Sequence, residues 1–410
     1  MSPPRTLGYN PRLFSPFTAT TSTMSQLAQR TESVMPFYAV EMFKQAAVLS
    51  AQGRDIISLG IGEPDFTAPP QVVETLNRAA EAGLSGYTSP AGLPLLRETI
   101  AHHYEERYGA PVDPGRIIVT AGASGALMLA AMALINPGDE VLLPDPSYPA
   151  NQNFVIAAGG VPRLIPAQAE QRFHLSADDI RQHWGPRSRG VLIASPSNPT
   201  GTTIEREALR ELIAEVRARG GFIIMDEIYL GLYYEDTPSS ALTLDDDLVI
   251  INSFSKYFHM TGWRLGWLIA PQWMIPAMDK LASNLCICAP SLAQHAAISC
   301  FEPEVLSIYE KRRLSFKQRR DYLLPELERL GLNVPVKPDG AFYIYLDISR
   351  YSRDSDDFAQ RLLHGPGIAT VPGRDFGPAH AATSLRLSYA TRLDRLEEAI
   401  ARLEAWLPTV

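Results

Sequence analysis

Apolar residues recur at helical spacing over residues 34–49, and Ala51-Gln52-Gly53 closes the run as a helix stop. A short apolar stretch over 56–62 then reads as a strand entering the turn cluster Glu63-Pro64-Asp65. Residues 70–83 and 95–108 carry helical patterns on either side of a loop around Tyr87. Short β-branched runs follow at 117–120, 140–144, 191–194, 222–226, 248–252 and 265–270, with helical patterns between most of them, notably 124–135 and 206–219. Strands that alternate with helices predict an α/β fold with a mainly parallel sheet covered on both faces.

Sites in such sheets lie beyond the carboxyl ends of the strands, often at helix N-termini. The notable polar clusters fall there. Thr120-Ala121-Gly122, Ser195-Pro196-Ser197-Asn198, Asp226-Glu227 and Ser253-Phe254-Ser255-Lys256 each follow a predicted strand directly. Past about residue 300 the pattern changes to a charged helix over 304–330, a strand over 341–347, a helix around 356–363 and a final strand over 384–389. The reading is a large unit over 59–300 and a smaller α/β unit over 301–410, completed by residues 32–58. Residues 1–31 hold Arg5, Arg12, Arg30 and many Ser, Thr and Pro, with no acidic residue before Glu32. They read as a disordered tail or an over-long start with Met24 as initiator, an organelle-targeting peptide being the alternative.

A length of 410 residues exceeds one ordinary core and leaves room for two. No stretch approaches the roughly 20 uncharged apolar residues of a membrane span. A net charge of −8 argues against a nucleic-acid partner, because phosphate backbones attract basic surfaces. Cys286, Cys288 and Cys300 are too few for a disulfide framework, and no second Cys/His pair at zinc spacing accompanies the first two. Such usage suits a reducing, cytoplasmic compartment and no metal.

Schiff-base chemistry needs a lysine amine that loses its proton near neutral pH, through burial and nearby positive charge. Lys256 follows a buried-strand pattern beside Ser253 and Ser255, with Arg264 in Gly262-Trp263-Arg264. Two hydroxyls and a planar guanidinium suit a phosphate next to that amine. Taken alone, Lys256 reads as a surface lysine; its company reverses that. Asp226 ends an apolar strand, where an aspartate is ordinarily a helix N-cap. It can also face a pyridinium nitrogen, which stays protonated and withdraws electrons. Tyr229 and Asn198 are candidate donors to the phenolic oxygen of the same ring. Gly122-Ala123-Ser124-Gly125 opens an apolar helix and lets backbone N–H groups approach a phosphate. His259, close to Lys256, reads as structural.

The ordered set Asn198-Pro199-x-Gly201, Asp226-x-x-Tyr229, Ser253-x-Ser255-Lys256 and Gly262-x-Arg264 resembles the class I/II aminotransferases, fold-type I enzymes dependent on pyridoxal 5'-phosphate. The likeness extends over nearly the whole chain from about Met35. It implies a seven-stranded, mainly parallel large domain with a smaller α/β domain. It implies that Lys256 carries the cofactor, with Asp226 on the ring nitrogen and Tyr229 and Asn198 on the ring oxygen. The phosphate falls to Gly122, Ala123, Ser124, Ser253, Ser255 and Arg264, and to Tyr87 from a second copy in a homodimer with shared sites. Tyr148 would stack on the ring, Gly62 would meet the substrate through its backbone, and Arg386 would bind the α-carboxylate. The implied activity is ping-pong transfer of an α-amino group from an amino acid to a 2-oxo acid, 2-oxoglutarate or pyruvate.

Some aspartate-specific relatives place a basic residue or a tryptophan where this chain has Ser124 and Tyr148, which weakens a dicarboxylate reading. Phe37 and Tyr38 are expected to line the side-chain pocket and favour a neutral or aromatic donor. Two other readings compete: a carbon–sulfur β-lyase on the same scaffold, and a regulator carrying an aminotransferase-like domain. The short tail and acidic charge oppose the second.

Overall fold

The computed structural model describes residues 27–235 and 237–410. Of the expected tail, residues 1–26 lie outside the described residues, and Arg30–Ser33 form a short helix whose Arg30 Nη1 donates to Ala157 O at 3.1 Å.

Seven strands form one sheet in the order Ile117–Thr120, Gly266–Ile269, Val249–Ser253, Phe222–Asp226, Ser188–Ala194, Glu140–Asp145 and Val161–Pro166. The last five run parallel, and Gly266–Ile269 is antiparallel to both of its neighbours. The expected mainly parallel α/β sheet is therefore present. Alternate residues feed two cores. Leu192 and Ile224 pack with Ala126, Leu127 and Ala130 of the helix Gly122–Leu134. Val191, Ile193, Ile223 and Met225 pack with Leu209, Leu212 and Val216 of the helix Arg206–Ala218. Period-two alternation with both faces apolar is what a covered parallel strand requires.

The strand Val161–Pro166 is absent from the runs read in the sequence, because Pro162, Arg163 and Pro166 break its apolar pattern. It stands at the end of the sheet, where a proline need not donate to a ladder. A strand was expected over 56–62, yet only Ile57–Ser58 pair, in parallel with Ile368–Ala369. Beyond them the carbonyls serve side chains: Gly60 O accepts from Arg386 and Gly62 O from Lys256.

A three-stranded antiparallel sheet of Val371–Pro372, Ser384–Ser388 and Tyr343–Asp347 lies with the helices Tyr38–Ala51, Pro303–Arg329, Ser355–His364 and Leu393–Trp406. The closing helix was not anticipated, although it buries Leu396, Ala399, Ile400 and Leu403 at helical spacing. The long helix Pro303–Arg329 also anchors the loop beyond Gly62. Arg319 holds both carboxylate oxygens of Asp65 at 2.8 and 2.9 Å, and Arg312 Nη1 donates to Thr67 O at 2.6 Å. Among the described residues, no helix is long and apolar enough to cross a membrane.

Candidate active site

A cavity of about 340 Å³ opens at the carboxyl ends of the parallel strands, with walls drawn from both the seven-stranded and the three-stranded sheet. Lys256, Asp226, Tyr229, Asn198, Ser255, Arg264, Ala123, Ser124, Tyr148, Gly62, Arg386 and Phe37 all line it. Segments separated by hundreds of residues thus converge on one volume.

Four residues singled out in the sequence stand elsewhere. Gly122 lies just behind the lining with φ +73°, and a Cβ on it would come within 2.3 Å of Arg264 Nη2. Only glycine lets that guanidinium lie against the helix N-terminus, where backbone N–H groups and the helix dipole favour an anion. Ser253 braces the loop: its hydroxyl lies 2.9 Å from Ser255 Oγ and 3.1 Å from Leu265 O, and accepts from Ser255 N at 3.0 Å. Tyr38 does not line the cavity. Its ring lies 4.0 Å under the Arg374 guanidinium, because consecutive helical residues point about 100° apart, and Val40 and Phe43 take the wall instead. Tyr87 is 83% exposed and outside its own chain's lining.

The charges are tuned by burial. Lys256 is brought down to about 8, first by burial and then by the guanidinium groups of Arg386 and Arg264, against the pull of Glu63 and Asp226. Its Nζ donates to Gly62 O. Asp226 is pushed up to about 6 by burial, opposed by the N–H of Ile228, which donates to Oδ1 at 3.0 Å, and by Lys256. Behind it Glu227 is pushed up to about 8 by burial, although Ala241 N and the Ser240 hydroxyl donate to its carboxyl. His259 sits against Phe66, Tyr309 and Phe316, and burial drives it down to about 3. A neutral, enclosed ring of that kind is structural.

Arg386 is 5% exposed and is fixed by Nη1 to Asn198 Oδ1 at 2.8 Å and Nη2 to Gly60 O at 2.6 Å. Its Nε is buried without a partner, an unspent donor on a group suited to carboxylates. Because the Asn198 oxygen is taken by Arg386, its amide nitrogen is the group left to donate to a ligand. These groups fit pyridoxal 5'-phosphate. The helix N-terminus at Ala123 and Ser124, with Arg264 packed against Gly122 beside it, can hold the phosphate, Asp226 the ring nitrogen, and Asn198 with Tyr229 the ring oxygen, within reach of the Lys256 amine.

Several lining residues were missed in the sequence. Tyr343 lies on a strand that was recognised, and period two places it with Tyr345 on one face, a usable signal. Glu63 accepts from Thr261 Oγ1, and both line the cavity. Asp375 also lines it and accepts the Tyr38 N–H at 2.8 Å across 337 residues of sequence, a contact that no local pattern announces.

A family profile described as aminotransferase class I and II matches residues 54–403. The valine–pyruvate aminotransferase of Mycobacterium tuberculosis is 38% identical over 378 residues, covering 92% of this chain and 97% of that protein. The aspartate aminotransferase of Thermotoga maritima is 36% identical, covering 90% and 96%. Among solved structures, an aminotransferase from Mycobacterium tuberculosis superposes with a TM-score of 0.91 at 37% identity, covering 94% of this chain and 100% of that one. The Thermus thermophilus aspartate aminotransferase with maleate gives 0.88 at 34% identity, covering 93% and 100%. With its cavity built at the strand ends and its relatives matched along almost their whole length, the chain belongs to the class I and II aminotransferases, pyridoxal 5'-phosphate-dependent enzymes of fold type I.

Proposed function

We propose that this aminotransferase moves the α-amino group of an amino acid with a neutral, apolar side chain to a small 2-oxo acid, pyruvate or 2-oxoglutarate, in two half-reactions at one site. The observation that carries this reading is the meeting of Lys256, Asp226, Asn198 and Arg386 on one largely apolar cavity. When bound, the cofactor supplies an electron sink for the substrate Cα.

The chain's own groups do the rest. Arg386 binds the substrate α-carboxylate and so orients the Cα–H bond for cleavage. Lys256 Nζ is the amine that would hold the cofactor and, when free, would carry the α-proton; a value near 8 leaves a useful fraction of free amine at neutral pH. Asp226 keeps a proton on the ring nitrogen. Tyr229 and Asn198 donate to the ring oxygen, and Ser124, Ser255 and Arg264 hold the phosphate. Tyr87 completes the phosphate site of a second copy in a homodimer, a role its 83% exposure supports. The separate seven-stranded and three-stranded sheets support two lobes, 59–300 and 301–410 with 32–58, that meet at the site.

Donor preference follows from the lining. Phe37, Val40, Phe43 and Phe376 are apolar, and Glu63 and Asp375 are acidic. The cations of the described lining are Lys256, Arg264 and Arg386, each already assigned, so a second carboxylate on a donor meets no further cation of the same chain. The named activity of the Mycobacterium tuberculosis relative, valine with pyruvate, supports the same preference.

A donor screen with pyruvate and 2-oxoglutarate, read by oxo-acid formation, tests this. Valine, alanine or phenylalanine should exceed aspartate in kcat/KM by about tenfold or more; aspartate in the lead would refute the preference. Lys256→Ala should abolish both turnover and the visible absorbance of the bound cofactor. Borohydride reduction of the loaded enzyme should mark Lys256, and a mark on another lysine would overturn the assignment.

A further inference from the structure

Tyr343 is fully buried on the cavity wall, and its hydroxyl lies 2.7 Å from that of Tyr229. Phe342 and Arg386 hold the pair from two sides. The Tyr229 ring meets Phe342 and Tyr343 edge-on at 5.6 Å, and the Arg386 guanidinium covers the Tyr343 ring at 4.4 Å. On the open side the Tyr343 oxygen stands 2.9 Å from the point where a Cβ on Gly62 would lie. Gly62 is therefore the residue that admits this hydroxyl.

A phenol has one proton to give and can accept on its oxygen. Burial raises both tyrosines, so both stay protonated at neutral pH. If Tyr229 gives its proton to the cofactor's ring oxygen, as proposed above, it has none left for Tyr343. The 2.7 Å bond must then be donated by Tyr343. A hydroxyl that accepts a hydrogen bond becomes a stronger donor itself, and in a buried pair the effect is not diluted by water.

We propose that Tyr343 is a positioning residue for the reaction: it donates to Tyr229 and thereby strengthens the hydrogen bond that Tyr229 offers the cofactor's ring oxygen. This rests on the functional reading above. A strong donor stabilises negative charge on that oxygen and loosens the proton it shares with the Lys256 nitrogen. The pH midpoint of the cofactor's visible absorbance reports that proton directly, independent of turnover.

The experiment is an absorbance titration of the cofactor-loaded protein and of Tyr343→Phe. The midpoint should rise by about half to one pH unit, the size of one modest hydrogen bond. In a Tyr229→Phe background the same change should add nothing, because the relay passes through Tyr229. Gly62→Ala, whose Cβ would push on the Tyr343 hydroxyl without deleting it, should also raise the midpoint and serves if Tyr343→Phe does not load. An unchanged or lowered midpoint, or an equal rise without Tyr229, overturns the proposal alone. A wild-type protein that takes up no pyridoxal 5'-phosphate overturns the functional reading and this proposal together.

Discussion

The Lys256 amine and the Glu227 carboxyl are both displaced from their ordinary values, and each displacement has a measurable consequence. In the cofactor-free protein, acylation of Lys256 by a small reagent should gain about tenfold per pH unit and level off near 8, whereas an exposed lysine keeps gaining to about 10. Peptide mapping of the modified protein separates the two. Glu227 lies beside Asp226 with its carboxyl held by Ser240 and Ala241. Burial raises it from 4.5 to about 8, so the folded state keeps a proton that the unfolded chain releases. Its contribution to stability is complete below about pH 4.5 and is lost as pH rises through about 8. Glu227→Gln keeps an acceptor for Ala241 N and cannot ionise. Its thermal midpoint should therefore fall less than wild type between mildly acidic and mildly alkaline buffer, and parallel profiles would contradict the burial argument. The sequence marked Asp226-Glu227 as a strand-end acidic pair, but which carboxyl faces the cavity and which faces Ser240 depends on the twist of the chain after the strand.

Two helices act on the site through contacts distant in sequence. Tyr38–Ala51 has no cap from its own preceding side chain; Asp375 supplies one by accepting the Tyr38 N–H. Removing such a cap costs about 1 kcal/mol, and here it frees the helix that presents Phe37, Val40 and Phe43 to the cavity. Asp375→Ala should raise KM for apolar donors by about three- to tenfold with a smaller change in kcat, while Asp375→Asn, which keeps the acceptor, should lie near wild type. Steady-state kinetics on both variants checks this. In Pro303–Arg329, Arg319 forms a two-point ion pair with Asp65 and lies 5.2 Å over the Phe66 ring. The Arg319 side chain is 6% exposed and that of Asp65 21%, so Arg319→Ala leaves a poorly solvated carboxylate and should cost about 3 kcal/mol in urea unfolding. Both helices were legible in the sequence, the first from its apolar spacing and the second as a charged helical run. Their functional contacts were not, because spacing reports which face is buried and says nothing about the partner.

For the molecule as a unit, the proposed sharing of Tyr87 between copies predicts complementation. Mixing denatured Lys256→Ala and Tyr87→Ala subunits and refolding them should form hybrids in which one site has both residues intact. The mixture should recover activity above the mean of its parents, toward about a quarter of native sites; activity no higher than that mean would count against shared sites. The alternation of apolar runs with helical patterns was enough for the covered, mainly parallel sheet, since strand burial and crossover connection both leave local marks. The motif residues Asn198, Asp226, Tyr229, Lys256, Arg264 and Arg386 were singled out through the resemblance of their motifs to the family, and the structure brings all six to one cavity. The edge strand Val161–Pro166, the shortening of 56–62 to Ile57–Ser58, the turning of Tyr38 onto Arg374 and the entry of Tyr343 and Asp375 into the site were decided in three dimensions. Local periodicity records the demand of each segment to bury its apolar side, whereas these features arise from which distant segment arrives to meet it, and that is known only once the chain has packed.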